Sequence, residues 1–229
     1  MAVAILAVGM LFVGGTFVLA IHFSTLSTER TISAVVAEEA VVKIRLYGFE
    51  KDPNTVDQTP YERLMPSLDQ EEFLYPSTPM AEAQRQYSWS ALCRRIGADP
   101  RSQRVQVTVF ICRIAGIATS LSPERLINPA GSTDRLYPGS MLVGGATGQL
   151  YRVVNLDGGL KLDRNWQDQS DAAAVWAVLR PKDRPSGRNP CITVYQTELV
   201  VPHSGTHAMG PGKTTLYATA PAPRTGRVR

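Results

Sequence analysis

The sequence predicts an α+β protein in which a long N-terminal helix, membrane-spanning in its first half, packs on an antiparallel β-sheet. Three observations support this fold class. The first 28 of the 229 residues contain no Lys, Arg, Asp or Glu. From Ser24 the chain then runs without Pro or Gly until Gly48. Its later part contains short segments that alternate apolar and polar side chains, the period of a half-buried strand.

The first predicted element is a helix over residues 1–48. Its apolar segment, Met1–Phe23, reaches roughly 34 Å at about 1.5 Å per residue, which is enough to cross a hydrocarbon core of about 30 Å. Gly48 is expected to end the helix because glycine readily adopts the left-handed conformation that follows a last helical turn. The helix should therefore cross a membrane in its first half and extend into water in its second.

The residues of this helix suit it to assembly with other helices. Small residues in the apolar half allow close helix–helix approach, and they are Ala2, Ala4, Ala7, Gly9, Gly14 and Gly15. In the second half one apolar stripe is formed by Ile32, Val35, Val42 and Leu46, and the opposite side, with Ala37, Ala40, Val41 and Ile44, is apolar too. A helix packed on a single domain shows one apolar stripe. We expect one face to pack on the sheet and the other to contact neighbouring subunits.

Residues 49–86 are predicted to be a long irregular, proline-rich connection, with a short helix at Met80–Arg85. Connections of this length are usually functional or partly mobile. Residues 202–229 are rich in Pro, Gly and Thr and cannot bury enough apolar surface to offset ordering entropy, so we predict a disordered tail.

Residues 87–201 are predicted to form the antiparallel β-sheet domain. Tyr87–Arg95 and Arg104–Ile114 flank a turn-rich segment and indicate a hairpin that folds about Asp99. The remaining predicted strands are Ser140–Gly145 and Gln149–Leu156, which form a second hairpin, and Ala173–Arg180 and Cys191–Val201.

The three cysteines, Cys93, Cys112 and Cys191, form no C-x-x-C pair. The odd count permits at most one internal disulfide. In the predicted hairpin Cys93 lies near the turn and Cys112 near the open end, too far apart for a disulfide that needs Cα atoms within about 7 Å. We favour buried free thiols.

Charge and motifs exclude several function classes. Residues 1–200 are neutral, with 20 basic and 20 acidic groups, and the net charge of +4 comes from the tail: Lys213, Arg224, Arg227 and Arg229. A basic groove with interleaved aromatics is missing, so no nucleic-acid partner is expected. No nucleophile–base motif or zinc signature is found, so we predict no enzyme and no cofactor.

The only cluster of oxygen ligands precedes the Ala173–Arg180 segment. Its weak metal candidates are Asp163, Asn165, Asp168 and Asp171. The segment lacks the central Gly and terminal Glu of an EF-hand loop. We expect a polar, solvated loop rather than a metal site.

A membrane helix that extends into water, an irregular connection and an antiparallel sheet together resemble the outline of type IV pilin-like proteins. The segment AVAILAVGM (Ala2–Met10) is similar to the apolar stretch of prepilin N-termini. Tyr87 and Trp89, followed by VQVTVFI, resemble minor pseudopilins of type II secretion and minor pilins. The resemblance is good over Met1–Gly48 and topological beyond it.

This resemblance implies a minor pilin or pseudopilin, a structural subunit of a type IV pilus or a type II secretion-like filament. It implies other pilin-like subunits as partners through the N-terminal helix, and a single pass through the inner membrane with the C-terminal domain periplasmic or extracellular. The family's basic leader, cleavage-site glycine and glutamate are not in this sequence. We expect a start codon further upstream, and prepilin peptidase would be a partner only of that longer product.

The sequence also permits an exported envelope protein, with residues 1–20 as a signal peptide cleaved after Ala20 and a ligand- or protein-binding β domain. That alternative lacks the Lys or Arg expected before the apolar segment. It also gives no reason for the helix to continue to Tyr47. The sequence does not distinguish among pilus, secretion and DNA-uptake systems.

Overall fold

The computed structural model describes residues 2–53, 56–76, 85–97, 103–113, 124–126, 136–179 and 189–200. The predicted tail lies outside these residues. So do the predicted turn at Asp99 and all of the predicted helix at Met80–Arg85 except its last residue.

Helix α1 comprises Ala2–Tyr47, 46 residues without a break. It ends as predicted, since Gly48 has a φ of +69° and its N–H donates to the carbonyl of Ile44 at 3.0 Å. This bond is the one that an αL cap makes, and it satisfies a carbonyl that the last turn leaves free. The local composition therefore determines both the length and the end of the helix.

The segment after α1 is more regular than we predict. It contains strand β1 (Thr59–Pro60), helix α2 (Tyr61–Leu64), a 3₁₀ turn at Gln70–Phe73 and strand β2 (Leu74–Tyr75). Tyr61, Leu64 and Phe73 are buried in the same core as the second half of α1. Long-range burial of these few apolar side chains orders a stretch whose prolines alone indicate an irregular loop.

The described residues form two five-stranded antiparallel sheets, whereas the sequence predicts one. The long strands of the first sheet are β3 (Tyr87–Arg95), β4 (Arg104–Arg113) and β10 (Cys191–Val200). The strand order is β1-β3-β4-β10, and β2 also pairs with β3. The predicted hairpin is confirmed, with Tyr87 opposite Arg113 and Arg95 opposite Val105.

The strands of the second sheet are β5 (Glu124–Leu126), β6 (Met141–Gly144), β7 (Leu150–Asn155), β8 (Lys161–Leu162) and β9 (Val175–Ala177). Their order in the sheet is β5-β9-β6-β7-β8. The pairing of β6 with β7 confirms the second predicted hairpin.

The strand predicted at Ala173–Arg180 is only partly correct. Helix α3 covers Gln169–Ala173, and the strand β9 is limited to Val175–Ala177. Asp168 caps this helix, because its side chain accepts the N–H of Ser170 at 3.0 Å. The side-chain cap satisfies a donor of the first turn and so favours a helix that extends to the first residue of the predicted strand.

Strands β3 and β4 of the first sheet are buried on both faces, although the alternation in β4 predicts a half-buried strand. On one face α1 packs against β3, β4 and β10. On the other face Leu92 and Phe110 pack against Val143 and Trp176 of the second sheet. Gln106 and Thr108 of β4 point toward this second layer, and Gln196 Nε2 donates to the hydroxyl of Thr108 at 3.0 Å. A hydrogen-bonded polar residue is therefore compatible with this buried layer.

Candidate assembly surface

One face of the second half of α1 is committed to the first sheet. Val36, Ala37, Ala40 and Ile44 are buried in one core cluster together with Trp89 and other residues of the sheet. The small side chains of Ala37 and Ala40 allow the helix to lie close to the sheet. Of the two apolar faces that the sequence offers, the one with Ala37, Ala40 and Ile44 is therefore the face that packs on the sheet.

An ion pair fixes the N-terminal end of the packed half of α1 to the first sheet. Arg113, at the end of β4, donates from Nε to Oε1 of Glu29 at 3.0 Å and from Nη2 to the other carboxylate oxygen. Its remaining Nη1 donates to the carbonyl of Asn189 at 2.6 Å. A bidentate guanidinium–carboxylate pair is directional as well as attractive. The pair therefore sets the position of the helix on the sheet just after the uncharged segment.

A second set of polar contacts lies near the end of the helix. The Nζ of Lys43 lies 3.1 Å from Glu39 and 2.8 Å from a carboxylate oxygen of Glu72, and it donates to the Glu72 carbonyl at 2.8 Å. The indole N–H of Trp89 donates to the same carbonyl at 3.0 Å. Since Lys43 is almost fully buried, these partners compensate the loss of its hydration.

The opposite side of this half carries an exposed apolar stripe, formed by Val35, Val42 and Leu46. Their exposed fractions are 47%, 59% and 69%. Ile32, which we predict in the same stripe, is instead half-buried and packs against the core. On a helix with 3.6 residues per turn, Ile32 lies at the border between the two faces, so the domain covers part of it.

The apolar half of α1 is separate from the two sheets. All side chains from Ala7 to Phe23 are exposed. A Cβ added at Gly9, Gly14 or Gly15 would meet no atom within 4 Å, so packing within the chain does not require glycine there. For Ala2 and Ala4 the structure describes the backbone only.

By length and composition, α1 is the one helix in the described part of the chain that is suited to crossing a membrane. A signal sequence near an N-terminus would meet the same criterion.

The acidic loop contains a buried carboxylate, contrary to our prediction of a solvated loop. Asp171 is 0% exposed, whereas Asp168 caps α3 and Asp163 accepts the N–H of Arg152 at 2.9 Å. Asn165 is exposed. Within the described ranges, no group of three or more His, Cys, Asp or Glu side chains is arranged to hold a metal ion.

Asp171 organises the turn between β6 and β7, a role that the sequence analysis missed. Its carboxylate accepts the N–H groups of Ala146 and Thr147 at 3.2 and 2.8 Å, the Thr147 hydroxyl, and the Tyr151 hydroxyl at 2.8 Å. Burial, and to a lesser extent this carboxylate, raises the pKa of Tyr151. A Cβ at Gly144 would lie 2.2 Å from the Asp171 Cγ. The glycine at position 144 is therefore the feature of the sequence that could have indicated the close approach of the Asp171 side chain to this backbone.

The same turn joins the two sheets. Arg94 of β3 donates from Nη2 to the carbonyl of Thr147 at 2.7 Å and from Nη1 to the carbonyl of Ala146. Burial lowers the pKa of this guanidinium, and the nearby Asp171 opposes that shift. Arg94 thus bonds the turn carbonyls while Asp171 bonds the turn amides, which explains why both charged groups are tolerated between the layers.

The three cysteines are free thiols. Cys93 faces Val107 in the register of the first sheet, whereas Cys112 faces Ser88. The prediction that Cys93 and Cys112 lie too far apart for a disulfide is therefore confirmed.

Comparisons with protein-family models, with curated protein sequences and with solved structures find no match. The class that fold and surface define is an α+β chain with a long, apolar N-terminal helix and two antiparallel sheets.

Proposed function

We propose that this chain is a minor pilin or pseudopilin, a structural subunit that assembles through α1 into a type IV pilus or type II secretion-like filament. The observation that carries the proposal is the exposed stripe of Val35, Val42 and Leu46 on a helix whose opposite face is packed on the sheet. The proposal assigns the chain no catalytic role and no cofactor.

The packing of α1 supports a fixed orientation of this stripe. The Glu29–Arg113 pair and the Lys43 contacts lie at either end of the packed half. Because both ends are tied to the domain, the stripe presents one rigid apolar surface to another subunit. Exposed apolar residues grouped on one surface are typical of interaction sites.

The apolar half of α1 is the segment that we place in the membrane. In this proposal it crosses the inner membrane once, and the sheets lie in the periplasm or outside the cell. Apolar helices with small residues can approach one another closely, both in a bilayer and in a filament core.

The direct test is site-specific photo-crosslinking in cells that make the protein with its native neighbours. A photoreactive residue at Val42 should crosslink to other subunits that carry an apolar N-terminal helix. Val154 of β7 is the matched control, because it is also a valine and its exposed fraction is 58% against 59% for Val42. Equal crosslinking at the two positions, or partners without such a helix, would contradict the proposal.

The state of the N-terminus separates this function from the exported-protein alternative. The mass of the protein extracted from membranes should include residues 1–20. A mature chain that begins at Ile21 and is recovered without membranes would instead indicate a cleaved signal peptide and a binding domain.

A further inference from the structure

Two of the three thiols lie opposite each other in the first sheet. Cys112 of β4 and Cys191, the first residue of β10, are direct partners in the antiparallel register. A register irregularity follows between Cys191 and Thr193, beyond which the ladder continues to Val200. The pair therefore lies at one end of the pairing between β4 and β10.

The backbone bonds around this pair define its geometry. The N–H of Arg113 donates to the carbonyl of Pro190 at 2.9 Å, in the neighbouring position of the ladder. The N–H of Cys191 donates to the side chain of Asn189 at 3.0 Å rather than across the strands. The cysteines thus occupy a non-hydrogen-bonded position, where Cα atoms are about 4.5 Å apart. Disulfides need about 4.4–6.8 Å.

The side chains of Cys112 and Cys191 lie on the same face of the first sheet, the face that packs against the second sheet. Cys112 is buried in the cluster between the sheets, and Cys191 packs against that cluster. The pKa of the Cys112 thiol is raised mainly by its hydrogen bond with the Cys191 thiol and, to a lesser extent, by burial. Cys93 belongs to the cluster on the other face of the first sheet, so it cannot compete for either partner.

The two thiols differ in access. Cys112 is fully buried, whereas Cys191 is partly exposed. An external disulfide can therefore reach Cys191 first. Cys112 lies opposite Cys191 and can then complete a thiol–disulfide exchange from inside the cluster.

We propose that Cys112 and Cys191 are a modification site at which a disulfide donor forms an intrachain disulfide. The donor is a protein disulfide of a thiol oxidoreductase or oxidised glutathione. The Cys191 thiolate attacks one donor sulfur and releases the other as a thiolate, which leaves a mixed disulfide. The Cys112 thiolate then attacks the Cys191 sulfur and displaces the second donor thiolate. The two protein thiols lose two electrons and two protons, and the donor disulfide becomes two thiols.

The bond would reinforce the junction of the helix and both sheets. It would close a loop over residues 112–191, which contains the whole second sheet. It would also lie next to Arg113, which holds Glu29 of α1. Long loops closed by a disulfide lose the most conformational entropy in the unfolded chain. The inference rests on the proposed function only for placing the sheets in an oxidising compartment.

The test uses the purified full-length protein in detergent. After incubation with oxidised glutathione, alkylation and intact mass should show one remaining thiol out of three. Peptide mapping should link Cys112 to Cys191 and leave Cys93 alkylated. The melting temperature should rise by roughly 5–15 °C relative to the reduced protein, as expected for closure of a long loop in a domain of this size.

Two variants make the assignment specific. C93A should still form the bond, whereas C191S should retain two alkylated thiols and show no rise in melting temperature. A stable glutathione adduct at Cys191, a bond that includes Cys93, or three reactive thiols after oxidation would each overturn the inference.

The outcome is separable from the proposed function. Intrachain oxidation of the purified protein does not require assembly, and crosslinking at Val42 does not require oxidation. A negative result in one of these two experiments therefore does not change the interpretation of the other.

Discussion

At the residue scale, Asp171 shows how a buried charge can be stabilised by a turn. Four donors from Ala146, Thr147 and Tyr151 surround it, and Gly144 leaves the space that it occupies. The sequence places Asp171 among other polar residues and so suggests a solvated loop. Only the folded chain brings the β6–β7 turn against it.

The first prediction concerns this carboxylate. D171N should lower the free energy of unfolding by about 1–3 kcal/mol, because an amide nitrogen replaces an acceptor and leaves buried donors without a partner. Chemical denaturation measures the change. D157N is the control at an exposed position in the turn between β7 and β8, and an equal loss there would contradict the role assigned to Asp171.

The second prediction concerns the Cys93 thiol, whose pKa is raised by burial. Above about pH 8.5 the unfolded chain releases this proton while the folded chain retains it, so stability present below that pH is lost as pH rises. With reductant present, the loss should approach about 1.4 kcal/mol per pH unit for this one group. Denaturation between pH 8 and 10 should show a shallower slope in C93A, and identical slopes would refute the assignment.

At the element scale, α1 combines two roles that composition alone cannot separate. Its length and its end at Gly48 follow from residues that are adjacent in sequence. Which of its two apolar faces packs on the sheet depends on distant residues. Arg113 and Glu72 provide the partners that fix this choice.

The third prediction addresses the Glu29–Arg113 pair. A double-mutant cycle with E29Q and R113Q should give a coupling energy of about 1–2 kcal/mol, since the pair is bidentate and largely buried. The pair of Arg104 and Glu198 is the control, because both side chains are more than half exposed. Its coupling energy should be clearly smaller. Equal couplings would indicate that the helix contact adds nothing to an ordinary surface pair.

At the scale of the whole molecule, the first sheet is the central layer. It has α1 on one face and the second sheet on the other. Arg94 and Phe110 contribute to the contact with the second sheet, one through hydrogen bonds and one through apolar packing. Loss of this contact should therefore weaken the entire fold rather than one hairpin.

The fourth prediction tests that central role. F110A should reduce the free energy of unfolding by about 3–5 kcal/mol, because it leaves a cavity between the sheets. The exposed Val200, on the neighbouring strand, provides V200A as a control that should change stability by no more than about 0.5 kcal/mol. Circular dichroism and tryptophan fluorescence should report one shared transition. A separate early transition of the second sheet would contradict the single-unit interpretation.

The extent of α1, its cap at Gly48 and the two hairpins can be predicted from the sequence, because they depend on composition and on neighbours along the chain. Three features are visible only in the folded chain: the face of α1 that is buried, the second sheet that covers the first, and the pairing of Cys112 with Cys191. These features depend on strand register and on packing between distant segments. Helical and strand periodicity specify the side of an element that is apolar, and they leave open which partner covers it.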